Sequence, residues 1–335
     1  MSKKWNVAVA GATGAVGVEM VKTLEKRNFP IGELRLLASE RSVGKQVQCQ
    51  GKTWTVSQMT QDSFEGIDIA LFSCGAGRSH EFAPAAVKAG AVVIDNSSAF
   101  RMDPAVPLVV PEVNPEDVFL HKGIIANPNC TTIIMLVAVN PIAKLSRVKR
   151  IVVSTYQSAS GAGQKGMDEL LNQTKDVVNG KPAVPHVFSY PYAFNLFSHN
   201  TAIGENGYNE EEMKMVNETR KIMHDADIQV CPTCVRVPVL RSHAESIVIE
   251  QERKVSVEEA LTALEKAPGV KIVNDAANNH FPMPFESNEQ YDVLVGRMRD
   301  DLSSTNGLAF FVCGDQLLKG AALNAVQIAE VFISR

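Results

Sequence analysis

Hydrophobic residues in the first third of the chain come in short strand-like runs, each followed by small polar residues and then a helical pattern. Trp5 to Ala10 reads as a first strand, and Gly11-Ala-Thr-Gly-Ala-Val-Gly17 follows it directly. A helix then begins, with Val18, Val21 and Leu24 on one side and Glu19, Lys22, Glu25 and Lys26 on another. Glu33 to Ala38 reads as the second strand. Ile67 to Ser73 leads into Cys74-Gly-Ala-Gly-Arg-Ser79 and a helix from Glu81 to Ala89, and Ala91 to Ile94 leads into Asp95-Asn-Ser-Ser98. This alternation predicts a parallel α/β sheet whose strands open at their carboxyl ends, the edge where such sheets bind ligands.

After the short apolar strand that stops at Asn127-Pro128, Ile133 to Val139 reads as a buried helix that Thr131 and Thr132 can cap. Strands are expected at Arg150 to Val153, Val230 to Val239, Ser246 to Glu250 and Leu308 to Val312. An amphipathic helix is expected over 209–226, and a terminal one over 320–333 with Ala321, Ala325, Ile328 and Phe332 on one face. No internal repeat or low-complexity tract interrupts the series.

With 335 residues, two domains or one large one are expected. A composition 45% hydrophobic and 21% charged is that of a soluble globular protein. Net charge of −4 lacks the basic footprint of a nucleic-acid binder. The longest apolar run, Ile133 to Val139, falls far short of the roughly 20 residues that span a bilayer, so no membrane partner is expected. Lys3 and Lys4 precede a stretch that turns at once into glycines, which reads as a strand and not as a signal peptide. Six scattered cysteines do not make a secreted disulfide scaffold. These features predict a cytoplasmic α/β enzyme.

The strand–glycine–helix arrangement suits a pyrophosphate: small residues let the backbone approach it, and free N–H groups at the helix start hold it. A plain tight turn is the bland alternative. The second strand runs into Ser39-Glu40-Arg41-Ser42, where two hydroxyls and an arginine suit the 2′-phosphate of NADP, although Glu40 could serve NAD. Arg101 lies in a loop past the next strands, as an anion ligand or a solvated charge.

Cys130 precedes the buried helix, where the dipole favours a thiolate nucleophile; a buried structural cysteine is the alternative. His243 is a candidate base for it, with six other histidines competing. Cys231 and Cys234 form a C-x-x-C without a second pair, on a strand-like segment, so they read as core cysteines and neither a zinc site nor a redox motif. No metal-ligand cluster is expected. The Gly-rich stretch 154–166 could line a ligand or be a surface loop.

Gly11–Gly17, Asn-Pro-Asn-Cys130, Tyr-Gln157-Ser-Ala-Ser-Gly, the Arg236…His243 segment and Lys-Gly-Ala-Ala-Leu-Asn324 occur in the order in which the chain resembles the aspartate-β-semialdehyde dehydrogenases, over essentially its whole length. The resemblance implies a Rossmann-type NADP-binding domain over 1–128, completed by a C-terminal helix over 315–335. It also implies an α+β catalytic and dimerisation domain over 129–314 with a mixed sheet, together a glyceraldehyde-3-phosphate-dehydrogenase-like fold and a homodimer or tetramer. The implied reaction is NADPH-dependent reductive dephosphorylation of 4-aspartyl phosphate to aspartate 4-semialdehyde, releasing inorganic phosphate, in lysine, threonine, methionine and diaminopimelate biosynthesis.

The resemblance makes Cys130 the thioester nucleophile, His243 the acid/base and Gln157 the residue that orients the substrate. Arg236 would clamp the α-carboxylate and Glu218 the amine, with Asn129 also at the substrate. Arg101 and Lys221 would hold phosphate. Arg241, nearer to His243, lacks the clamp's spacing. Gly11, Thr13, Gly14, Ala15, Val16, Ser39, Glu40, Arg41, Ser42, Ser160 and Gly161 would bind NADP. Gln316 stands where relatives have an asparagine that touches the nicotinamide, so its contact is open. N-acetyl-γ-glutamyl-phosphate reductase is the nearest alternative, against which Glu218 argues, because an acetylated amine has no use for a carboxylate. An inactive NADP-binding paralogue and a Cys-His hydrolase are further alternatives; the second leaves the dinucleotide turn unexplained.

Overall fold

β1 (Trp5–Ala10) ends at Gly11, whose φ of +88° turns the chain towards α1 (Ala15–Lys26). A Cβ at Gly11 would lie 2.3 Å from the Ser73 carbonyl oxygen, and one at Gly17 would lie 2.2 Å from the Gly11 carbonyl oxygen. Both approaches require glycine. The computed structural model describes residues 3–335. In it β2 (Ile31–Ala38), β3 (Gln46–Cys49), β4 (Lys52–Gln58), β5 (Ile69–Phe72), α2 (Ala76–Lys88), β6 (Val92–Asp95) and β7 (Ile124–Ala126) follow.

These strands form one sheet in the order β3-β4-β2-β1-β5-β6-β7, parallel except at the β3–β4 hairpin. The order reverses beside β1, which places the switch-point crevice where the Gly11 turn meets the end of β5. This is a Rossmann-type unit. Buried Val7, Val9, Leu36, Ile69, Leu71 and Ile94 belong to one of its cores.

The second unit, Asn129–Gly320, opens with α3 (Cys130–Ala143), which is buried along nearly its whole length. After it come β8 (Val148–Gln157), α4 (Gly163–Val178), β9 (Phe197–Ser198), α5 (Glu210–Ile222), β10 (Gln229–Arg236) and β11 (His243–Gln251). α6 (Val257–Glu265), β12 (Val270–Ile272), α7 (Pro284–Ser287), β13 (Val293–Asp300) and β14 (Gly307–Gly314) complete it.

Its mixed sheet runs β12-β13-β14-β11-β8-β10-β9. α3 packs on β11 and β14, and α5 on β10. Thr155, Gln157, Cys234, Arg236, Glu245 and Ile247 are buried, and the alternation puts them on one face. Val152, Tyr156, Val235, Val248 and Phe311 point the other way and stay half-buried.

A π-helical turn, Leu318–Ala322, leads to α8 (Leu323–Ile333). From Ala321 the chain belongs to the first unit, where α8 packs on α1 and Arg27 forms a bidentate pair with Glu330 at 2.7 and 2.6 Å. The expected return at 315 starts later because Asp315 and Gln316 are tied within the second unit to Arg241 and Ser242.

Candidate active site

Three strand ends meet in the second unit. Gln157 is the last residue of β8, Arg236 the last of β10, and His243 the first of β11. Parallel register puts Arg236 beside Gln157, and antiparallel pairing of Ala244 with Tyr156 brings His243 to the same end. Tyr192 donates its hydroxyl to the Gln157 carbonyl oxygen at 3.1 Å and holds this end in place.

Cys130 is the first residue of α3, whose N-cap is Asn129, with Asn129 Oδ1 accepting the Thr131 N–H at 3.1 Å. Cys130 therefore sits at the positive end of the helix, a position that suits an anionic sulfur. Asn129 Nδ2 donates to Glu211 Oε1 at 2.9 Å, and Gln157 Nε2 donates to the same oxygen at 3.0 Å. Lys214 pairs with the other oxygen at 3.1 Å. Burial opposes the ionisation of Glu211. Lys214, His199 and the two amides outweigh it and hold the carboxyl down to about 2.

This corrects the assignment of Glu218 and Lys221. Glu218, 1% exposed, spends its carboxylate on the backbone N–H of Asn129 at 2.6 Å. It braces the loop in front of Cys130, while Lys221 lies half-buried farther along α5. Glu211 and Lys214 make the same i, i+3 pair about two turns earlier on the helix. The Asn209–Glu212 capping box fixes the helix start and puts Glu211 in its first turn, without by itself choosing between the pairs.

His243 is fully buried. Its Nδ1 accepts the Ser158 N–H at 3.0 Å, and its Nε2 has no partner in the protein. Burial, reinforced by Arg236, pushes its pKa down to about 3. Arg236 also keeps its Nε unpartnered, donates to the Ser158 carbonyl oxygen at 3.3 Å, and stands over the Phe188 ring. A Cβ on Gly161 would lie 2.9 Å from Arg236 Nη1 and 3.5 Å from His243 Nε2, so this glycine leaves the two groups open. His199, overlooked in the sequence, lies close enough to Arg236 that burial and this cation lower its pKa to about 4.

Arg241 is bound to Asp315 at 2.8 Å. Gln316 and Ser160 are both buried and bonded to each other, so neither presents an uncommitted polar group. Cys231 and Cys234 sit on β10, Cys234 buried and Cys231 half-buried towards Tyr208. No group of three or more His, Cys, Asp and Glu among the described residues is placed to hold a metal.

In the first unit, α1 has Gly14 at its N-cap and no side-chain cap, which leaves the N–H groups of Ala15 and Val16 for a ligand. Past β2, Ser39–Ser42 forms a single 3₁₀ turn in which Ser42 Oγ lies 3.1 Å from Thr13 Oγ1, while Glu40 and Arg41 are exposed. Glycine-only contacts at the turn and hydroxyls with an arginine past β2 fit a phosphorylated dinucleotide. Arg101, 8% exposed, donates to the carbonyl oxygens of Asn127 and Asn96 at 2.9 and 3.0 Å, so it is a fixed cation and no solvated one.

Two family models match the chain, a semialdehyde dehydrogenase NAD binding domain over residues 6–121 and a semialdehyde dehydrogenase dimerisation domain over 139–319. An aspartate-semialdehyde dehydrogenase of Synechocystis is 55% identical over 98% of this chain and 97% of its own. That of Aquifex aeolicus is 53% identical over 98% of both. The crystal structure of aspartate semialdehyde dehydrogenase II from Vibrio cholerae complexed with ASA superposes with a TM-score of 0.97, at 47% identity over 99% of both chains.

Proposed function

The chain belongs to the aspartate-semialdehyde dehydrogenase family, and we propose that it interconverts 4-aspartyl phosphate and aspartate 4-semialdehyde with NADP(H) through a Cys130 thioester. The observation that carries the substrate is the ionised, buried Glu211, bonded to the nucleophile's cap and to Gln157 with Arg236 beside it. A carboxylate and a guanidinium in one recess suit the ammonium and α-carboxylate of a free amino acid. An N-acetylated substrate offers this carboxylate no ammonium, which disfavours the acetylglutamyl alternative.

Cys130 sulfur attacks the acyl carbon, phosphate leaves, and the acyl group stays on sulfur as a thioester. Arg236 and Glu211 hold the amino-acid end so that this carbon stands over the sulfur. When bound, the nicotinamide supplies the hydride. His243 Nε2–H donates a hydrogen bond to the oxygen that gains charge at the acyl carbon, and the tetrahedral adduct collapses to the aldehyde as the C–S bond breaks and the Cys130 thiolate leaves. Lys214, in place of Lys221, is the cation of this unit that we assign to phosphate; Arg101, in the first unit, is a buried cation of the kind an anion needs.

The turn at Gly11 and the Ser39–Ser42 segment support NADP as the cofactor. The half-buried apolar face of the second sheet supports a homodimer, in accord with the matched dimerisation model. No helix among the described residues is long and apolar enough to cross a membrane, and six cysteines outside disulfides suit a reducing cytoplasm. The test is an assay at 340 nm with aspartate semialdehyde, phosphate and NADP, run against N-acetylglutamate semialdehyde and against NAD. Preference for the acetylated substrate would overturn the reading.

A further inference from the structure

Gln316 is 3% exposed, and both ends of its amide are engaged. Its Oε1 accepts the backbone N–H of Ser242 at 3.0 Å. That N–H can only donate, so the amide oxygen must face Ser242 and the nitrogen must face the other way, where it donates to Ser160 Oγ. Ser160 Oγ lies 2.9 Å from Ser158 Oγ, which lies 3.0 Å from His243 Nδ1. Nδ1 accepts the Ser158 N–H and so has no proton to give, which leaves the Ser158 hydroxyl to donate to it; Ser160, which takes the amide on one lone pair, can donate to Ser158.

The loop closes on the backbone, because Ser242 directly precedes His243. Its φ is +73°, a left-handed conformation that a serine adopts only when its surroundings hold it there. Its hydroxyl is bonded to the Asn288 amide at 2.8 Å. One glutamine thus anchors the residue before the histidine and polarises the hydroxyls behind the ring.

We propose that Gln316 is a positioning residue for His243: by holding Ser242 and the hydroxyls behind the ring it aims the imidazole and supports the acceptor state that the Ser158 N–H gives Nδ1, so that the neutral ring presents Nε2–H to the substrate. This rests on His243 being the acid/base of the proposed reaction. It replaces the expected nicotinamide contact of Gln316 with an indirect role. Second partners commonly set a histidine's tautomer in this way. The charged and titratable groups around the ring are Arg236 on β10, Glu211 on α5 and His199 after β9, with the Arg241–Asp315 pair on the Gln316 side.

Steady-state kinetics of the full-length enzyme test this. Gln316→Leu should lower kcat about tenfold or more and leave the KM for NADP within about twofold. Gln316→Glu cannot donate to Ser160, which reverses the hydroxyl chain and adds negative charge near the ring. The acidic limb of its kcat profile should rise by about one pH unit. A raised KM for NADP at unchanged kcat would make Gln316 a cofactor ligand and overturn the proposal. Unchanged kinetics in both variants would also overturn it. Nitrogen-15 NMR of the native protein, which needs no variant, should show His243 neutral with its proton on Nε2; a proton on Nδ1 refutes the role. If the native protein does not turn over aspartate semialdehyde, the reaction fails while the NMR result still decides the tautomer.

Discussion

Gln157 donates its side-chain amide to Glu211 at 3.0 Å, locking the last residue of β8 to the first turn of α5. The same carboxylate oxygen takes the amide of Asn129, the residue in front of Cys130. One carboxylate therefore sets the spacing between the helix that starts at Cys130 and the strand end that carries Gln157.

Glu211→Gln removes the charge that we assign to the substrate amine and that the two amides are arranged around. The expected loss in kcat/KM for aspartate semialdehyde is about 100-fold, roughly 3 kcal/mol. Glu218→Gln should instead cost about 1–2 kcal/mol of stability through the Asn129 N–H and leave KM within about threefold. The opposite pattern would return the amine to Glu218.

Cys130→Ala should abolish phosphate-dependent NADP reduction, while NADP still binds as followed by fluorescence titration. Normal turnover in this variant would remove the thioester route altogether.

The two histidines that burial and Arg236 hold neutral, His243 and His199, are raised in pKa when the chain unfolds. Below the ordinary histidine value of about 6.5 the unfolded chain binds more protons, so stability falls as pH drops from there towards 4. Glu211 adds a further loss as pH falls from its ordinary range towards 2. Urea midpoints at pH 7 and pH 4.5 should show the drop, and His199→Gln should shrink it. An equal midpoint at both values would contradict the neutral state of these rings.

Arg41→Ala should raise the KM for NADP about tenfold and leave that for NAD nearly unchanged, because only a 2′-phosphate needs the guanidinium. A parallel rise for both cofactors would assign Arg41 to the shared pyrophosphate.

Val248→Glu puts a charge on the half-buried sheet face away from α3. Size-exclusion chromatography with light scattering should show a dimer for the native chain and a monomer for the variant. A dimer in both would move the interface elsewhere.

Most of the Rossmann unit was legible because each parallel strand is apolar and each ends in small or polar residues that mark the turn. β1 matches its expected bounds, and β8 and β11 run longer than their apolar cores because polar Gln157 and His243 end them inside the site. β12, β13, α4 and α6 went unread: they are short or carry mixed polarity, and sheet neighbours, more than local pattern, complete them.

Residue types and their order along the chain determined the dinucleotide turn, the cysteine at the start of the buried helix and the arginine–histidine pair, since those depend on local spacing and on chemistry that few side chains offer. The choice of Glu211 over Glu218 could be decided only in three dimensions. Two turns of helix put both on similar faces, and only the distances to Asn129 and Gln157 show which carboxylate reaches the site and which braces the backbone. The same holds for Gln316, whose amide direction follows from a backbone N–H far away in sequence. A linear pattern records which groups exist; folding brings them within the 3 Å at which charge and hydrogen bonds take effect.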